Sequence, residues 1–321
     1  MRNHRRYALG ATLLAAALLA GACGSGGGDN ESTASTTGGG GGPTIASTFV
    51  FGAPPDCATN KLCAIGLKEL YGIEFKQIKT TDFGGPITVH ALKAGSIQVG
   101  ELFSTSVYDP DFVVLEDDKH LESSDNIVPV IRKDVDTPEI DDILNAISAK
   151  ITTDQMLELN KMVDISQQDP TAVAKSFLDD NGLMSASSGC SGDLTVGVSG
   201  NFSESKIMAE MYGQALEHAG CSVSYQLDLS SREVSDKALF SGEIDLKPEY
   251  LASESTAQDA NAKVSGDPQN NATILEGLMA KQDVNVLDFT PAVDTNVFVV
   301  TKETADQFSL SKVSDLAKPA P

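Results

Sequence analysis

Apolar and polar positions along residues 45–321 follow two periods in turn, one of about 3.6 residues and one of 2. From Cys190 onward the pattern is clearest. LTVGV (194–198) predicts a strand and SGNFSES a turn with helix-start chemistry. KIMAEMYGQALEHAG predicts a helix that gathers Ile207, Met208, Met211, Ala215 and Leu216 on one face before Gly220 stops it. SVSYQLDL predicts a second strand, SSREVSDKALFSG a second helix ending at Gly242, and EIDL a third strand. Strand–helix–strand–helix–strand is the grammar of a parallel α/β unit.

Ligands of open parallel sheets bind beyond the carboxyl ends of the strands. Here those ends are SGNFSES, LSSRE and KPEY, all polar, with an aromatic in the first and last. The reading places KPEY where the third strand leaves the core for a cleft. The beginning of ALFSGEIDLKPEY (238–250) also occurs earlier, as ALKAGSIQVGELF (91–103), after a loop TTDFGGPIT (80–88) and before a polar STS. Helix–glycine–strand is common enough to recur by chance. Two similar α/β lobes facing one another across a cleft is the more economical reading.

The first residues do not fit this grammar. MRNHRR is basic, Ala8 to Ala22 is an apolar run short for a membrane span, and LAGAC places a cysteine after small residues. That predicts a lipoprotein signal over 1–23 with Cys23 lipidated, a plain signal peptide being the competing reading. Residues 24–43 are Gly/Ser-rich and predict a tether. The remaining chain of a 321-residue, 41% hydrophobic sequence suffices for one large or two medium cores. Four further cysteines outside the cytoplasm read as two disulfides with three possible pairings; Cys57–Cys63, closing a short loop, and Cys190–Cys221, preceding two neighbouring strands, are favoured. Zinc is the competing reading, but the spacings fit poorly, and no metal or other cofactor is expected. A net charge of −22 argues against nucleic acid as a partner.

LTVGVSGNFSESKIMAEMYGQALEHAGCSV and SSREVSDKALFSGEIDLKPEY resemble the opening of the substrate-binding proteins of osmoprotectant ABC importers, the glycine betaine, carnitine and choline type. FGAPPDCATNKLCAIGLKELYGIEFKQIKTTDFGGPITVHALKAGSIQVGELFSTS is similar to that family's second lobe. VVLEDDKHLESSDNIVPVIRKD and the stretches through VAKSFLDDNGL resemble its C-terminal end. The resemblance covers nearly all of 48–318, but in permuted order, with SASSGCSGD (185–193) as the join. It implies an α/β, two-lobed periplasmic-binding-protein-like fold of type II with the ligand cleft between lobes. One lobe would combine 45–106 with 295–321, and the other would be continuous over 107–294. Hinge crossings are expected near 105–108 and 292–296.

The resemblance also implies an aromatic cage for a quaternary ammonium, with polar groups and helix starts for a carboxylate. Tyr250 matches a cage tyrosine, Asn201, Phe202 and Ser203 the first cleft loop, and Ser231 and Arg232 the second. In the other lobe Asp82, Phe83, Phe103 and Thr105 are the candidates. Departures are Leu251 where the family has Thr, Gly200 where it often has a basic residue, and Val89 near a missing cage tyrosine. Phe103 and Phe202 have core packing as their competing reading, and Arg232 a surface pair with Glu233 or Asp236.

The function implied is a monomeric solute receptor, lipid-anchored on the extracytoplasmic face of the cell membrane, that delivers a small molecule to an ABC permease. A related reading is the same fold binding an uncharged or aromatic solute, or acting as a sensor. An enzyme is disfavoured. GVSGN (197–201) lacks the final glycine of a nucleophile elbow, and His90, His120 and His218 have no evident Ser or Cys partner. Asp117, Asp118 and His120 read as surface charges rather than metal ligands.

Overall fold

In a computed structural model, which describes residues 42–82, 84–184, 189–200 and 202–321, two five-stranded sheets each carry their own apolar core. Residues 1–23, with Cys23, and nearly all of the tether lie outside the described residues. The first sheet holds β1 (Val50–Ala53), β2 (Gln77–Thr80), β3 (Val99–Phe103) and β4 (Phe112–Leu115). The second holds β5 (Ile127–Arg132), β6 (Asp193–Ser199), β7 (Ser222–Leu229), β8 (Leu246–Tyr250) and β9 (Val284–Val286). The last strand, β10 (Asn296–Thr301), returns to the first sheet. The orders are β2-β1-β3-β10-β4 and β7-β6-β8-β5-β9.

The parallel unit read from the sequence is present. β6 pairs in parallel with β7 and β8, while β5 adds antiparallel pairings to β8 and β9. The helix Ser203–Ala219 buries all five predicted face residues. It ends at Gly220 with φ 113°, and the helix Arg232–Ser241 ends at Gly242 with φ 79°. Those left-handed backbones are why glycine terminates both helices. The earlier repeat behaves the same way, with the helix Pro86–Lys93 leading through Gly95 into β3. Both disulfides form as favoured, Cys57–Cys63 and Cys190–Cys221.

Two expectations are corrected. The sequence pattern ends the third strand at EIDL, with KPEY beyond it. Instead β8 runs Leu246–Tyr250, and its Leu246, Lys247, Pro248 and Glu249 are all buried. Pro248 sits opposite Pro129 of β5, so the two missing N–H donors coincide at one register position. Second, 107–294 was assigned to a single lobe, yet Phe112–Leu115 belongs to the first sheet. The antiparallel β10 leaves an edge there, and this apolar run completes it. One chain crossing between sheets therefore lies after Leu115, not at 105–108. The other lies between Val286 and Asn296. The crossings adjoin through an Asn126–Val293 bridge and a 3.0 Å bond from Asp294 N to Asp125 O. The start and end of the folded body also meet: Ile45 N donates to Lys318 O at 2.9 Å and Thr44 bridges Pro319.

Candidate functional site

Where the carboxyl ends of β3 and β8 approach each other, a cleft of about 320 Å³ opens between the sheets. The repeat explains its construction, because Phe103 closes β3 and Tyr250 closes β8, and both side chains line the cleft. Phe202, just ahead of the helix Ser203–Ala219, adds a third ring. It is 54% exposed and meets Phe103 edge to face at 6.1 Å between centroids. Both phenylalanines thus face the cleft.

Tyr250 is held from behind. Its hydroxyl donates to Oε1 of the buried Glu204 at 2.8 Å, and Glu204 Oε2 accepts from Asn160 Nδ2 at 2.8 Å. Asn160 also donates to the Thr105 carbonyl at 3.2 Å. Burial, with the Glu204 and Asp294 charges, pushes the Tyr250 phenol well up, so it stays a neutral donor.

Arg232, at the start of its helix, also lines the cleft. Its Nε reaches Glu249 at 3.1 Å and Glu254 at 3.3 Å, and Nη2 donates to Ser253 Oγ at 2.9 Å. The surface pair with Glu233 or Asp236 does not form. Lys237 takes Glu233, and Lys247 takes Asp236. Lys247 is 0% exposed and bonds Glu249 Oε1 at 2.8 Å and Ser235 Oγ at 3.3 Å. The string LKPEY is therefore one device. Lys247 neutralises buried acid, Glu249 shares Lys247 and Arg232, and Tyr250 faces the cleft.

Of the other candidates, Ser203, Ser231, Asp82 and Thr105 are not among the described residues that line the cleft. Ser203 Oγ donates to Asp164 Oδ1. Ser231 caps its helix by accepting from Val234 N at 3.3 Å. Asp82 accepts from the amides of Gly85, Ile87 and Thr88 and from the Thr88 hydroxyl. Burial alone would raise its carboxyl, but the Thr88 and backbone bonds hold it below the usual range. Thr105 is buried and acts through Asp294, donating from Oγ1 to Oδ1 at 2.8 Å. Asn201 and Phe83 lie outside the described residues.

Sequence reasoning missed the acids. Glu122, Asp125 and Asp294 line the cleft, and Arg232 is the one basic residue among its described lining. Burial foremost, then Glu101 and Asp117, raises Glu122 to about 9. Burial and Glu204 raise Asp294 well above the carboxylate range, and burial raises Asp125. Two clusters of Cys, Asp or Glu side chains are close enough together to hold a metal ion among the described residues. One contains the Cys57–Cys63 disulfide, and the other, Asp236, Glu249 and Glu254, surrounds the Lys247 ammonium.

The family described as the substrate binding domain of ABC-type glycine betaine transport systems matches residues 46–180 and 192–321. A glycine-betaine-binding protein of Pseudomonas aeruginosa is 31% identical over 142 residues, 43% of this chain and 46% of the relative. An ergothioneine transport permease/ergothioneine binding protein, EgtU, of Helicobacter pylori is 29% identical over 142 residues, 43% of this chain and 25% of that protein. The chain spans less than half the length of these relatives. Among solved structures, the L-cystine solute receptor of Neisseria gonorrhoeae in its unliganded open conformation gives a TM-score of 0.42 at 12% identity, over 85% of this chain and 87% of that one.

Proposed function

The chain belongs to the family of substrate-binding domains of ABC-type glycine betaine transport systems, and from that premise we propose that it is an extracytoplasmic receptor for a quaternary-ammonium solute. The observation that carries this reading is the cleft itself, lined by the Phe103–Phe202 ring pair, by Tyr250 and by three acids. Each well-placed ring face contributes about 0.5–2 kcal/mol toward a cation, and Arg232 offers the solute's carboxylate a partner. Solute contacts to both lobes favour the closed state, with the adjoining crossings near 125 and 294 as the hinge. The receptor then hands the solute to an ABC permease, working as a monomer held to the membrane by lipid on Cys23. Among the described residues no helix is long and apolar enough to cross a membrane. The permuted order is also part of the proposal. Pairing of Thr44–Ile45 with Lys318–Pro319 supports it, because opening a once-continuous segment leaves the two new ends side by side.

A second reading is favoured by the apolar rim. Leu62 and Val264 line the cleft along with the exposed Phe202 ring, leaving room for a solute with a ring of its own. The H. pylori relative is named for ergothioneine, a trimethylammonium betaine built on an imidazole ring. A thermal-shift panel of glycine betaine, choline, carnitine, proline betaine, ergothioneine and uncharged aromatic solutes separates the two readings, since a ligand raises apparent stability by mass action. A shift with the small betaines supports the first. A shift only with ring-bearing solutes supports the second, and no shift with any solute contradicts both.

A further inference from the structure

The aromatic residues of this cleft are few, whereas its acids are unusually placed. Asp294 sits on one crossing segment, tied to the other by its backbone bond to Asp125. Its carboxylate is oriented by Thr105 Oγ1 at 2.8 Å. Neither Asp294, Asp125 nor Glu122 takes part in an ion pair among the described residues, and Arg232 is already matched by Glu249 and Glu254. Glu122 is the second pointer. Only 8% exposed and lining the cleft, it leaves Oε1 with no hydrogen-bond partner among the described residues. Three acidic residues thus line a space shared with Phe103 and Phe202 and form no ion pair among the described residues; Asp125 accepts from the Ala252 and Ser253 amides and feels the Arg232 charge, which leaves Asp294 and Glu122 without a nearby cation.

An arrangement of this kind costs the empty protein free energy. Buried acids brought together resist ionising, and a cationic ligand that supplies the missing charge favours their carboxylate forms. A quaternary ammonium has no N–H to donate, so it is held by charge and by ring faces. Carboxylates replace the rings that this cleft lacks.

We propose that Asp294 is the specificity-determining residue of the cleft, forming with Glu122, Asp125 and the Phe103 and Phe202 rings a seat for a permanent cation. This rests on the receptor reading above and names which end of the solute is selected and by which side chain. Asp294 lies on the crossing between lobes, so a cation seated on it also touches the segment that moves when the cleft closes.

The test uses tetramethylammonium and 3,3-dimethyl-1-butanol, the uncharged carbon analogue of choline, with wild type, Asp294→Asn and Asp294→Glu. Binding and the unfolding midpoint of the empty protein are both measured. Tetramethylammonium should bind wild type, about tenfold or more weaker to Asp294→Asn, with recovery in Asp294→Glu and no such change for the neutral analogue. The midpoint of empty Asp294→Asn should stay level or rise, because a buried acid whose ionisation is disfavoured gives way to a neutral side chain that can still accept from Thr105. A residue with a purely structural role would lower it. Equal tetramethylammonium affinity in wild type and Asp294→Asn overturns the proposal, as does a variant that fails to fold. If tetramethylammonium does not bind but solutes of the larger panel do, the seat is wrong and the receptor reading stands. If nothing binds, both fall.

Discussion

Replacing Lys247 by Met keeps the volume and removes the charge that the strand end is built around. Lys247 is fully buried, with Glu249 Oε1 at 2.8 Å and Asp236 bonded to the same ammonium. At 2.8 Å and an effective dielectric of about 20, one such contact is worth about 6 kcal/mol before desolvation is subtracted. Removing one member of a buried pair costs about 3–5 kcal/mol, because the remaining charges lose compensation without regaining water. Here Asp236, Glu249 and Glu254 would be left with Arg232 alone, which favours the upper half of that range. At about 2–4 °C per kcal/mol, the melting midpoint should fall by about 6–20 °C. The loss should shrink toward pH 5, where the orphaned carboxyls take up protons; Glu254 already sits near 7, raised by burial and Glu249. Urea unfolding of wild type and Lys247→Met at pH 5 and pH 8 measures this. A loss below about 1 kcal/mol at pH 8, or one that does not change with pH, would refute the reasoning.

Glu122 makes a prediction of opposite sign. Its folded value of about 9 lies above the ordinary 4.5, so the folded state holds a proton that the unfolded chain releases. Its effect on stability is most favourable below about 4.5 and is lost as pH rises toward 9. Glu122→Gln should therefore gain on wild type progressively from pH 5 to 9 in urea melts, and parallel curves would contradict this. The Cys190–Cys221 disulfide spans 31 residues and Cys57–Cys63 only 6. Loop-closure entropy then gives about 3–4 kcal/mol for the first and about 2 for the second, so paired Cys→Ser variants should rank in that order by unfolding midpoint. Tyr250→Phe removes the donor to Glu204 Oε1 and should cost about 1–3 kcal/mol. An unchanged midpoint would mean that Glu204 carries its own proton and needs no donor.

Local patterns were legible because their causes are local. The face of Ile207, Met208, Met211, Ala215 and Leu216, the glycine stops and the disulfide-closed loop each depend on neighbours a few residues away. Tyr250 and Phe103 were legible through the repeated helix–glycine–strand unit that brings each to a strand end. Lys247 was not, since its partner Asp236 comes from the preceding helix and a lysine before proline reads as an exit from the core. The strand Phe112–Leu115 was placed in the wrong lobe because its partner β10 arrives only at the end of the chain. Asp294 was invisible for the same reason, its Thr105 partner lying 189 residues away. Acids on crossing segments look like surface charge until the fold places them against one another.

The receptor reading is tested most directly by calorimetric titration of the purified protein with glycine betaine and with ergothioneine, alongside Tyr250→Ala and Phe202→Ala. One-to-one binding of at least one of them, weakened about tenfold or more by each variant while both variants stay folded, is the expected result. Saturable binding that neither variant alters would place the solute elsewhere, and the absence of binding for both would contradict a quaternary-ammonium cleft.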